Sequence, residues 1–69
     1  MNELVNKLIT ERDELQEKID NLINFTYSEL FDTLDPIHVR LISTQCDVMS
    51  TYIRLLNMRI DILKETNNV

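Results

Sequence analysis

The sequence predicts an all-α protein, an antiparallel two-helix hairpin that assembles into a homo-oligomeric helical bundle. Three observations lead to this fold class. Apolar residues recur at three- and four-residue spacing through two long segments, which is the period of an amphipathic helix. The chain has no glycine and a single proline, Pro36, so it contains one strong break. Its 69 residues suffice for one domain, residues 1–69, and a domain of this size usually needs a partner or a ligand for stability.

The first helix is predicted over about residues 2–25. Its outer face is polar, and Glu14 and Lys18 stand four positions apart there, as a helix-supporting ion pair does. Its apolar stripe is formed by Leu4, Leu8, Leu15, Ile19 and Leu22. One face of this helix is therefore expected to be buried.

A connection is predicted over residues 26–35. Ser28 is placed to cap a short turn, and Phe31 and Leu34 are placed to fold back and plug the end of the hairpin. The connection is too short for two parallel helices, so the helices are expected to run antiparallel.

The second helix is predicted over about residues 36–64, with Asp35 as its N-cap and Pro36 in its first turn. Its apolar arc is too wide for one partner helix to cover. The remaining apolar surface is expected to meet another copy, most simply in an isologous dimer that forms a four-helix bundle. The residues predicted for this interface are Leu41, Val48, Met49, Ile53, Leu55, Leu56, Ile60 and Leu63.

Composition excludes several classes of function. The lone cysteine, Cys46, excludes an internal disulfide, and one cysteine with one histidine makes no four-ligand zinc set. We expect no metal and no cofactor. The net charge of −5 argues against a nucleic-acid partner. The sequence shows neither a signal peptide nor an apolar run of membrane-spanning length, so a cytoplasmic protein is expected.

Four polar residues interrupt the apolar stripes. Arg12 lies between Leu8 and Leu15 on the first helix, and the second helix carries Gln45, Tyr52 and Arg59 at seven-residue spacing. Arginine matches phosphate oxygens, tyrosine can stack on a base and glutamine can read a base edge, so these residues are candidates for binding a nucleotide in a groove between chains. The structural alternative is that the arginines form ion pairs or extend to water, and that the polar residues set the register of a bundle.

The pattern also resembles a known group of proteins. Gln45, Met49, Tyr52 and Arg59, with Phe31 and Leu34 in the connection, resemble small tailed-phage helical-hairpin proteins named for a crAss-like phage relative. In size and architecture the chain is also similar to the anti-CBASS and anti-Thoeris sponges of phages. That likeness implies an oligomeric, non-enzymatic protein that holds cyclic dinucleotides or cyclic ADP-ribose isomers between chains.

The sequence thus favours a phage-encoded sponge that sequesters a nucleotide immune signal in the cytoplasm of an infected bacterium. It is expected not to be an enzyme, because no activated nucleophile, general base or metal set is visible. Two alternatives remain: an inhibitor that docks on a host protein, and a structural helical bundle. The expected partners are a second copy and a small cyclic nucleotide.

Overall fold

The computed structural model describes residues 2–67, which form two antiparallel helices. Helix α1 is Asn2–Thr26, a 3₁₀ turn is Phe31–Thr33, and helix α2 is Pro36–Asn67. The predicted all-α hairpin is confirmed, and its assembly into an oligomer stays a prediction. The hairpin is a rod of 53 × 15 × 13 Å. Its radius of gyration is 15.8 Å, whereas a compact domain of this length has about 11 Å.

Helix α2 begins at Pro36, where the sequence predicts it. The carbonyl of Asp35 accepts hydrogen bonds from the backbone N–H groups of His38 and Val39, at 3.0 and 3.1 Å. Proline fits this first position because its missing N–H would have no partner inside the helix. A carboxylate at this end also suits the positive end of the helix dipole.

The connection is held by Ser28 and by two phenylalanine rings. The Ser28 hydroxyl donates to the carbonyl of Phe25 at 2.6 Å and accepts the N–H of Phe31 at 3.3 Å. The rings of Phe25 and Phe31 meet edge to face, with centroids 5.9 Å apart. Ser28 therefore links the end of α1 to the 3₁₀ turn, and Phe31 folds back onto the hairpin as predicted.

The core lies toward the end of the rod opposite the connection. Leu56 and Ile60 of α2 are 0% and 1% exposed, and they pack with Val5 and Leu8 of α1. The buried hydrophobic residues between residues 2 and 67 are Val5, Leu8, Ile19, Ile53, Leu56 and Ile60. This is a thin core for a domain, because two helices side by side enclose only the residues along their seam. Neither helix is long and apolar enough to cross a membrane.

Candidate functional site

The predicted interface residues fall into three sets in the structure. Ile53, Leu56 and Ile60 are buried within the hairpin, so a single chain already accounts for their burial. Met49 and Leu63 are half-buried at the edge of the seam. The three that face solvent are Leu41, Val48 and Leu55, which are 59%, 63% and 51% exposed. Only this exposed set is free to contact a second protein.

Arg12 is held by side chains of its own chain. Its Nη1 donates to Oδ1 of Asn57 on α2 at 3.1 Å, and its Nε donates to Oδ1 of Asp13 at 3.1 Å. Its Nη2 also lies 3.1 Å from that carboxylate oxygen. The side chain keeps 32% of its surface exposed. Because the guanidinium is paired and partly solvated, its charge needs no phosphate to neutralise it.

Tyr52 also connects the two helices. Its hydroxyl donates to a carboxylate oxygen of Glu11 on α1. The residue remains 41% exposed, so part of the ring is open to solvent while the hydroxyl is occupied. The ring is thus held in place with a surface on which a planar group can stack.

Gln45 and Arg59 point into solvent. Both residues are exposed, and neither side chain makes a hydrogen bond or an ion pair within residues 3–66, whose side chains the structure describes. Seven residues of helix rise about 10.5 Å, so Tyr52 stands midway between them on one side of α2. These three residues form an open row with a cation at one end and an amide at the other.

The four predicted ligand residues do not share one side of the hairpin. Arg12 bonds to Asn57, which stands five positions after Tyr52 and is therefore rotated about 140° from it around α2. Glu11 and Arg12, consecutive on α1, accordingly reach opposite sides of the seam between the helices. Gln45, Tyr52 and Arg59 therefore lie along one side of α2, and Arg12 lies on the other side of the seam, next to Asn57.

Next to this row lies an apolar groove of about 390 Å³. All of its lining comes from α2, so it is a surface depression that one helix cannot close. The lining residues are Asp47, Val48, Thr51, Tyr52 and Leu55. Tyr52 belongs both to this groove and to the polar row, so a molecule covering the groove would also meet the row.

Sequence reasoning missed the side chains that fix Arg12 and Tyr52, which are Asp13 and Asn57 for the arginine and Glu11 for the tyrosine. Asp13 is adjacent to Arg12 in the chain, and neighbours on a helix do not usually face each other. Asn57 is one of several polar residues on α2. Which of them comes within reach of Arg12 depends on how α2 is rotated about its axis relative to α1, and the sequence pattern does not give that rotation. Among residues 2–67 no group of three or more histidine, cysteine, aspartate or glutamate side chains is placed to hold a metal ion.

The family comparison covers most of the chain. A family model described as Sequestin matches residues 2–62. No curated protein and no solved structure matches the chain. The matched range includes α1, the connection and the whole row from Gln45 to Arg59.

Proposed function

Because this chain belongs to the Sequestin family, we propose that it is a binding protein that sequesters its ligand. We propose that the ligand is a nucleotide immune signal, a cyclic dinucleotide or a cyclic ADP-ribose isomer. The protein is then a phage product that acts in the cytoplasm of an infected bacterium. It binds the signal without converting it, so one assembly removes a fixed number of signal molecules.

The row of Gln45, Tyr52 and Arg59 carries this proposal. Arg59 is exposed and its side chain has no partner among the side chains of residues 3–66, so its donors are available to phosphate oxygens. The Tyr52 ring is held by Glu11 and is open on part of its surface. A base stacked on that ring would lie within reach of the Gln45 amide.

The charges around the row orient the ligand. The carboxylates of Glu11 and Asp47 lie near Tyr52, the first on its hydroxyl and the second in the adjoining groove. Both repel phosphate. The phosphates therefore belong at Arg59, and the base belongs between Tyr52 and Gln45.

A second subunit is needed to complete the site. Small-molecule sites are concave and cover most of the ligand surface, whereas the row runs for about 21 Å along one convex helix. A second copy of the chain, packed beside the row, supplies the missing wall. The proposed partners are thus the chain itself and the nucleotide.

Calorimetry tests this function directly. Cyclic dinucleotides and cyclic ADP-ribose isomers are titrated into about 100 μM protein, a concentration at which micromolar affinities give clear heats. We expect one ligand class to bind and to be recovered chemically intact by chromatography. Loss of the intact ligand refutes sequestration, and no heat from any of them favours the inhibitor of a host protein, which the exposed apolar residues of α2 also suit.

Variants locate the site. A charged hydrogen bond to phosphate contributes about 1.5–3 kcal/mol, so Arg59→Ala is expected to weaken binding about tenfold or more. Lys18→Ala removes one positive charge from the exposed face of α1 and is the matched control. Arg12→Ala is expected to weaken binding less than Arg59→Ala, because Arg12 is held by Asn57 and Asp13. Equal losses for Lys18→Ala and Arg59→Ala would place the ligand elsewhere.

A further inference from the structure

Helix α2 carries a straight line of exposed apolar side chains on the face turned away from α1. We call this line the α2 stripe; its members are Leu41, Val48, Leu55 and Ile62, and each is more than half exposed. Ile37 and Met58 beside it are 65% and 62% exposed. On α1 the large apolar residues that are exposed, Leu4 and Ile23, are isolated and only about 40% exposed. A strict seven-residue repeat on one face is the pattern of a helix that packs lengthwise on another helix.

A column of charges runs along one edge of the α2 stripe. The residue immediately before each member of the stripe is charged, and the signs alternate: Arg40, Asp47, Arg54 and Asp61. All four are exposed, and none forms an ion pair among residues 2–67. Neighbours in this column stand about 10.5 Å apart along the helix, too far to pair with each other. The Arg54 guanidinium leans toward the centre of the face, where it donates to the Thr51 hydroxyl at 3.3 Å.

Two copies of this charge column place opposite charges next to each other when the two helices run antiparallel. We propose that the α2 stripe docks on the α2 stripe of a second copy, with the two helices antiparallel and a two-fold axis between Thr51 and Tyr52. In that register Val48 faces the partner's Leu55, and Leu41 faces the partner's Ile62. Asp47 then lies within about 3 Å, along the helix axis, of the partner's Arg54.

The opposite orientation loses these ion pairs. In an antiparallel two-fold pair the same edge of both helices lies on one side of the interface, so the two charge columns run side by side. In a parallel pair the two columns lie on opposite sides, and no member of one meets the other. Arg40 and the partner's Asp61 pair by the same symmetry, so each dimer contains four such contacts.

The face is long enough for a stable dimer. From Leu41 to Ile62 it extends for about 32 Å. A specific interface of ordinary size buries about 800 Å² on each partner, which is about 15% of the 5491 Å² surface of this chain. Docking also covers the apolar groove at Thr51 and Tyr52, which one helix leaves open.

In the same register the second copy adds its own row of residues to the ligand site, a consequence that rests on the proposed function. The row of Gln45, Tyr52 and Arg59 borders the α2 stripe on the edge opposite the charge column. Across the interface Gln45 is nearly level with the partner's Arg59, and the two Tyr52 rings stand beside the axis. Each row would then present an amide of one copy next to a guanidinium of the other.

Charge exchange tests the docking without any ligand. Sedimentation equilibrium of the wild-type chain is expected to show a dimer. Arg54→Asp places like charges together twice in each dimer and is expected to raise the dimer dissociation constant about tenfold or more. The double variant Asp47→Arg with Arg54→Asp restores opposite charges and is expected to recover the wild-type constant. Lys18→Asp makes the same change in net charge on α1 and is the control.

Spin labels give the direction of packing. A label on His38→Cys, in a Cys46→Ser background, is expected to lie about 40 Å from its copy in the antiparallel dimer. In a parallel dimer the distance is under about 20 Å, because packed helices are 8–10 Å apart. A monomeric wild type, a short label distance or a double variant that fails to recover association each overturns the proposal. Nucleotide binding plays no part in these measurements, so their outcome is independent of the proposed ligand.

Discussion

Leu56 and Leu55 are adjacent leucines of α2, and their replacement by alanine is expected to affect different properties: folding of the single chain at Leu56 and association of two chains at Leu55. Leu56 is 0% exposed and packs with Val5, Leu8 and Ile60 in the core of the hairpin. Leu55 is 51% exposed and lies on the α2 stripe. The same chemical change thus tests the inside of one chain at one position and its outer face at the next.

The cost at Leu56 follows from its burial. Leu→Ala removes about three buried carbon groups, worth about 2.4 kcal/mol at 0.8 kcal/mol each. The cavity that remains brings the total to about 2.7–5 kcal/mol. A chain of this length has only about 3–10 kcal/mol of stability in all. We therefore expect Leu56→Ala to remove from about a quarter to all of the free energy of unfolding.

Leu55→Ala is expected to leave the folded hairpin of one chain nearly unchanged, because the side chain is half solvated within it. Its effect appears in association, where the leucine faces the partner's Val48 in the proposed dimer. Urea unfolding at several protein concentrations separates the two effects. Linkage to a dimer makes stability rise with protein concentration, whereas the loss of core packing lowers stability at every concentration.

The two variants together can refute the assignment of the helix faces. Equal losses of unfolding free energy at Leu55 and Leu56, at a concentration where the chain is monomeric, would mean that α2 is rotated from the orientation described. A stability of Leu55→Ala that varies with concentration as steeply as that of the wild type would remove Leu55 from the interface.

Three further changes test the connection and the link between the helices. Ser28→Ala removes both hydrogen bonds that join α1 to the 3₁₀ turn, and thermal unfolding is expected to show a loss of about 0.5–2 kcal/mol. Phe31→Leu keeps an apolar plug but removes the edge-to-face contact with Phe25, so a loss of about 0.5–1.5 kcal/mol is expected; no loss would mean that the ring contact is neutral. Tyr52→Phe removes the bond to the Glu11 carboxylate at a largely solvated site, so the unfolding free energy measured by urea should fall by less than about 1 kcal/mol. A larger fall would show that this link organises the whole hairpin.

The sequence predicts the helices closely because their ends depend on local chemistry. Pro36 fixes the start of α2, since proline is accommodated in the first turn and disrupts later ones. The absence of glycine leaves few places for another break. Ser28 and Phe31 act within a few residues of each other, so their contacts are also local.

The rotation of α2 against α1 could not be predicted in the same way. Apolar residues cover a wide arc of α2, and a heptad pattern suits more than one side of it. The structure turns Ile53, Leu56 and Ile60 toward α1 and leaves Val48 and Leu55 outside. The predicted interface combined residues of both sides, because spacing alone does not say which side of α2 packs against α1.

The same rotation explains the division of the predicted ligand residues. Once Leu56 faces α1, Tyr52 and Asn57 must lie on opposite flanks of α2. Tyr52 then bonds to Glu11 on one flank, and Asn57 bonds to Arg12 on the other. Arg12 goes to Asn57 and becomes part of the link between the helices. Gln45 and Arg59 stay on the flank beside the α2 stripe, with Tyr52 between them.

The ligand row and the docking face therefore share a border, and this arrangement couples the two proposals energetically. A nucleotide that contacts Arg59 of one copy and Gln45 of the other binds the dimer more tightly than the single chain. By linkage, dimer formation then raises nucleotide affinity by the same factor by which the nucleotide strengthens the dimer. A sponge built in this way holds its ligand in a site that exists only while two chains remain together, and the dimer opposes release of the nucleotide by the contacts that the second copy adds to the ligand.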